Sequence, residues 1–234
     1  MTLSKSSASA LDRVGQYLNK NWAVICDRAD LAPVSLLEGF TLWFGWTGLT
    51  WLAFALSLAV VEVGERGDIS LVEGLFGGGL VGFAQWLMIR PHLVRSHRWI
   101  IVTALSWAAL ALLHIGAVGW IAPNTLNLLV RVLFGLFYGF YVGLVLGVGQ
   151  WWAMRRDVVK AWRWILLSAG IWAVAIAFGW LFGGGLRLIT QLFVADVVGL
   201  ALAWAIVAAL TGIALVGMVY QQANNASTAD STVR

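Results

Sequence analysis

Among the polar residues inside the long apolar stretches of this 234-residue chain, five are candidates for chemistry: Gln85, His114, Arg131, Gln150 and Asp196. A neutral histidine in a helix rich in Leu and Ala can serve as axial ligand to a haem iron or a chlorophyll magnesium. A bis-histidine haem needs a second buried histidine, whereas His92 and His97 fall in a loop. His114 therefore suits a pigment taking a single ligand, or a hydrogen bond within a helix bundle. Arg131 and Asp196 carry opposite charges, each several residues inside its stretch. Alone, each would cost a few kcal/mol in hydrocarbon. Pairing them across two helices removes most of that cost, while a proton path would want further acids at the midplane, and none is there. Gln85 and Gln150 can donate and accept between helices. Each is followed by a tryptophan (Trp86, Trp151) and, five residues on, by an arginine (Arg90, Arg155). That arrangement reads either as a helix-end clasp or, with Arg98 and Arg163, as a site for anionic lipid or a partner subunit.

Other chemistry is set aside by what the chain lacks. Its lysines are Lys5, Lys20 and Lys160, all outside the apolar stretches, which excludes a retinal Schiff base. Nucleophile-elbow, zinc-protease and phosphate-loop patterns are missing. One cysteine, Cys26, allows neither an intramolecular disulfide nor a cysteine metal cluster. The expectation is a non-enzymatic protein with no metal site.

The elements that must position these residues follow from composition. Hydrophobic residues make up 61% and charged residues 11%, against about a quarter charged in soluble domains. Ser35–Val63, Ile69–Ile89, Trp99–Ile121, Leu126–Met154, Ala161–Phe182 and Ile189–Val219 each reach the ~20 residues that cross a bilayer. Six transmembrane helices in residues 35–220 form the expected all-α domain. Twelve of the 15 Lys and Arg fall in the N-terminal segment, the second and fourth inter-span loops, and the C-terminus. Positive loops mark the cytoplasmic face, so both termini are expected inside a bacterial inner or photosynthetic membrane. The pI of about 9.6 then reflects orientation and attraction to anionic lipid, with no nucleic-acid partner implied. Residues 1–34 contain Leu11, Val14, Leu18, Trp22 and Ile25 at helical spacing, which predicts an amphipathic helix on that leaflet. Residues 221–234 are polar and read as a disordered tail.

A fixed offset of 65 residues relates two segments: Gly82, Gln85, Trp86, Arg90, Arg98, Trp99 and Trp107 match Gly147, Gln150, Trp151, Arg155, Arg163, Trp164 and Trp172. Such periodicity marks a duplicated supersecondary unit, here two helices joined by a basic turn, and a third copy keeps Gly212 but loses the glutamine. The reading is three tandem two-helix repeats. Gly74, Gly78 and Gly82 in the second helix, and Gly135, Gly139, Gly143 and Gly147 in the fourth, form rows at four-residue spacing. Rows of this kind allow close helix approach in lipid. They predict an inner trio of helices 2, 4 and 6 within an outer layer of 1, 3 and 5.

The Gly-x-x-Gln-Trp…Arg…Arg-Trp cassette, spanning Gly74–Trp107 and Gly139–Trp172, resembles one recurring in uncharacterised multi-pass membrane proteins of bacteria, many of them phototrophs. The resemblance implies a non-enzymatic membrane component linked to an energy-converting complex; the basic loops suit bound lipid, and His114 with the abundant Trp and Phe suits a chlorophyll-type pigment or carotenoid. The expected role is therefore a subunit or assembly factor docked on a larger membrane protein complex. The rival is a small transporter or channel working alone.

Overall fold

Inside hydrocarbon every backbone N–H and C=O needs a partner from the chain itself, which favours helices over any open extended structure. The computed structural model describes residues 36–64, 69–113 and 118–231, and these are helical apart from short connections. The helices are α1 (Leu36–Ser57), α2 (Leu71–Ile89), α3 (Arg98–Leu112), α4 (Leu128–Met154), α5 (Arg163–Thr190) and α6 (Val194–Ser231). Four of them are long and apolar enough to cross a membrane: α2, α4, α5 and, within α6, Val194–Tyr220. The chain has the make-up of an integral membrane protein. Strands are absent among the described residues, where one isolated bridge joins Gly64 to Ile121. The amphipathic helix expected within residues 1–34 lies outside the described residues. At the other end α6 continues to Ser231, beyond the boundary at which a tail is expected, because neither Gly nor Pro interrupts 218–231.

Each helix packs on its neighbour in sequence, and α6 closes on α1. The result is a six-membered ring. Among the described residues α2, α4 and α6 do not pack backbone against backbone, so the expected inner trio does not form. The glycine rows explain why. Gly135, Gly139, Gly143 and Gly147 bring α4 onto the backbone of α5; a Cβ at Gly139 would sit 2.5 Å from the Trp172 carbonyl oxygen. Gly74, Gly78 and Gly82 do the same for α2 against α3, and Gly212 sets α6 against Trp43 and Trp46 of α1. Small residues thus knit sequential pairs together instead of building a centre. Of the four membrane-length helices α4 is the least buried and α5 the most.

The third helix is the second correction. It ends at Leu112, not Ile121, so its 15 residues span about 22 Å at 1.5 Å per residue, short of a ~30 Å hydrocarbon core. Val118–Pro123 instead run non-helically and buried into the bundle. Non-helical backbone survives at such depth only if protein groups satisfy it. Here side chains do so: Trp204 Nε1 donates to Gly119 O (2.8 Å) and Trp180 Nε1 to Ile121 O (3.1 Å). Arg131 serves the carbonyls of Pro123 and Thr125. Trp204 lies ten residues into α6, so Gly119 reaches about 15 Å along that helix.

Candidate functional site

Inside the ring the two glutamines make the same bond at the same offset. Trp99 Nε1 donates to Gln85 Oε1 at 3.0 Å, and Trp164 Nε1 donates to Gln150 Oε1 at 2.8 Å. In both cases the partner stands fourteen residues beyond the glutamine, at the start of the next helix. The sixth helix has Leu215 in the register of the glutamines, and the corresponding bond runs from Trp46 Nε1 to Thr211 Oγ1 at 3.0 Å. Trp46, Trp99 and Trp164 meet edge to face, with centroids 5.9 to 6.5 Å apart, the arrangement that aromatic quadrupoles prefer. Beneath them Gln150 Nε2 donates to Thr103 Oγ1 at 3.3 Å. A second layer of Trp107, Trp120, Trp172 and Trp204 fills the next level, again in ring contact. A cavity of about 20 Å³, bordered by Gln85, Gln150 and Thr211, lies within this core. That is room for about one water molecule.

Burial corrects one expectation. Gln85 and Gln150 are each 6% exposed and turned inward, so they do not face lipid or a partner. Trp99 and Trp164 likewise belong to the core. The residues left at the rim are Trp86, Arg90, Arg98, Trp151, Arg155 and Arg163. Arg90 lies over Trp86 (5.7 Å), Arg155 over Trp151 (5.5 Å) and Arg98 over Trp152 (5.2 Å). These stacked pairs keep apolar stems in the membrane edge and charge toward water. In the same region His92, in the loop after α2, is held below its usual range because burial disfavours the charged ring.

At the opposite end the structure brings Arg131 and Asp196 together. Arg131 Nη1 donates to Asp196 Oδ1 at 2.5 Å and Nη2 to Oδ2 at 3.4 Å. The backbones of α4 and α6 do not meet there; the long Arg131 side chain bridges them. Arg131 passes over Gly184 of α5, where a Cβ would meet its Cδ at 2.7 Å, and so links three helices. Its remaining N–H groups go to the carbonyls of Thr125, Trp180 and Pro123. All five guanidinium donors are used, which is what a cation without solvent contact requires. Asp196 takes a second ion pair from Arg187 at 2.8 Å, a partner the spacing of residues does not reveal. Nor does it reveal the α5–α6 crossing, where Gly179 and Gly183 meet Gly199 backbone to backbone.

His114 lies outside the described residues. Among the described residues no group of three or more His, Cys, Asp or Glu could hold a metal ion. Most of the interior polar groups described bond to one another or to backbone carbonyls and so join helix to helix, while the Thr50 hydroxyl is buried without a hydrogen-bond partner. Comparison of the chain with protein-family models, curated proteins and solved structures found no match.

Proposed function

We propose that this chain is a six-span membrane protein with both ends cytoplasmic, acting as a non-enzymatic subunit or assembly factor of a larger membrane complex. In this reading α1 and α3 also cross the bilayer, the latter completed by its buried extended segment. Three two-helix units make the ring: α2–α3, α4–α5, and a third shared between the chain's ends as α6–α1. Shared packing at the 65-residue offset supports the repeat, since Gly74 and Gly82 face Ala108 and Ile100 while Gly139 and Gly147 face Ala173 and Ile165.

The observation that carries the docking role is the outer face of α4. This helix commits its glycines to α5 and leaves Phe134, Phe137, Phe140 and Tyr141 exposed. Phe137 and Tyr141 stack edge to face at 4.8 Å, and Phe140 adjoins Tyr141. Preordered aromatic strips supply contact area at small entropic cost, and they also suit a flat or rod-shaped cofactor, a tetrapyrrole or carotenoid, held against the partner.

Native gel migration after mild solubilisation tests this reading. The chain should run with a large complex, and Phe137→Ala combined with Phe140→Ala should release it without lowering its own melting temperature. A lone species that conducts solute in liposomes, and ignores that double substitution, would establish the transporter instead.

A further inference from the structure

The two basic loops meet at a pocket that the repeated cassette alone does not disclose. It has a volume of about 200 Å³ and is lined by Val94, Arg95 and Arg98 on one side and Ala153, Arg156 and Asp157 on the other. We propose that this pocket binds a phosphate group carried by an anionic phospholipid of the adjoining leaflet. Three guanidinium groups face one carboxylate, and among the described residues none of the four takes part in an ion pair. Asp157 therefore leaves the arginine charge unneutralised. Arginine's planar fork matches phosphate oxygens two at a time. Arg98 is half-buried, its guanidinium set over the Trp152 ring, which holds one donor group at the pocket wall before any ligand arrives. Trp86 and Trp151 flank the level at which headgroups lie, and basic pockets between membrane helices on this side recognise anionic headgroups. The proposal rests on the membrane orientation given above and is independent of what docks on α4.

Native mass spectrometry of the delipidated, purified full chain tests it, with phosphatidylglycerol, phosphatidylcholine and inorganic phosphate as probes. Phosphatidylglycerol should bind at least about ten-fold more tightly than phosphatidylcholine. Arg95→Gln with Arg156→Gln should weaken it about thirty-fold, taking about 1 kcal/mol per basic residue at a membrane surface. The control Lys160→Gln removes the same charge as Arg156→Gln from an exposed position outside the pocket lining and should cost less than about two-fold. Arg156→Gln alone, at an exposed position, should weaken binding about five-fold and supplies the reading should the double variant fold poorly. Equal losses in Arg156→Gln and Lys160→Gln, or equal affinity for phosphatidylcholine, would overturn the site. Displacement of the lipid by inorganic phosphate at matched concentration would assign the arginines to a soluble anion and overturn the lipid source.

Discussion

Removing either member of the Arg131–Asp196 pair strands different groups, and the difference can be measured. In Asp196→Ala the Arg131 cation stays at 0% exposure with carbonyl partners only, while half-buried Arg187 can turn toward water. In Arg131→Ala the carboxylate keeps Arg187, but the carbonyls of Pro123 and Thr125 lose their donors and the space over Gly184 empties. Breaking a buried pair from one side costs about 3–5 kcal/mol, and a vacated, unsatisfied carbonyl adds about 1–3 kcal/mol. Asp196→Ala should therefore lose about 3–5 kcal/mol, a fall of roughly 9–15 °C at about 3 °C per kcal/mol, and Arg131→Ala, whose carboxylate keeps Arg187 while two carbonyls are vacated, about 2–6 kcal/mol. The double variant leaves no uncompensated buried charge, so it should cost less than the two singles together by about 1–3 kcal/mol. Thermal unfolding in one detergent, followed by tryptophan fluorescence, supplies all four corners of the cycle. Strict additivity, or single losses below about 1 kcal/mol, would mean that the charges contribute as separate surface groups and that the three-helix lock is mistaken.

Three further outcomes follow from the packing. Gly143→Leu, which drives a side chain into the backbone of Ser168 and Ala169, should cost several kcal/mol and separate α4 from α5, whereas Leu144→Ala should cost under about 1 kcal/mol; detergent melting temperatures in the reverse order would remove the glycine row from the interface. Gln150→Leu leaves the Trp164 indole N–H and Thr103 without their bonds, so it should destabilise by about 1–3 kcal/mol and shift tryptophan emission, while an unchanged spectrum would place Trp164 elsewhere. His92 is neutral more readily in the folded chain than at its ordinary value of 6.5, so the unfolded chain binds more protons below that pH. Stability should then rise with pH up to about 6.5 and level off above it, and melting scans of His92→Gln should lack that component.

Helix positions were legible because apolar runs bounded by charged or Pro-containing loops have few alternatives. Arg131 and Asp196 were legible as a pair because two unlike charges inside hydrocarbon leave little else to propose. Partners set by three-dimensional routing were not. The break after Leu112 is hidden because Val118–Ala122 is as apolar as a helix would be, and what distinguishes it is the distant indoles of Trp180 and Trp204 that satisfy its carbonyls. The glycine rows announced close approach but not its target: four small residues in line describe a groove, and whether α5 or α6 fills it depends on loop length and ring closure. For the glutamines, position at a helix end suggested the rim, yet the tryptophan fourteen residues on folds back to claim each one.

The filled centre bears on the choice between scaffold and carrier. A solute path along the ring axis would have to pass Trp46, Trp99 and Trp164, then Trp107, Trp172 and Trp204, none more than 4% exposed. The indole donors of Trp46, Trp99, Trp164 and Trp204 are all engaged, and the cavity that lies among these layers holds only about 20 Å³. Opening such a path means turning rings that pack on one another and breaking buried hydrogen bonds, each lost partner costing about 1–3 kcal/mol. Three or four rotated tryptophans would take up much of the 5–15 kcal/mol that holds a typical domain folded. Carriers escape that cost by rocking whole units around a midplane site. Here the units are tied in sequence by glycine contacts, and α4, α5 and α6 are fastened together at one end by Arg131, Asp196 and Arg187. Rigidity of this kind suits a protein whose working surface is its outside, where α4 presents its aromatic strip and the basic loops meet the membrane edge.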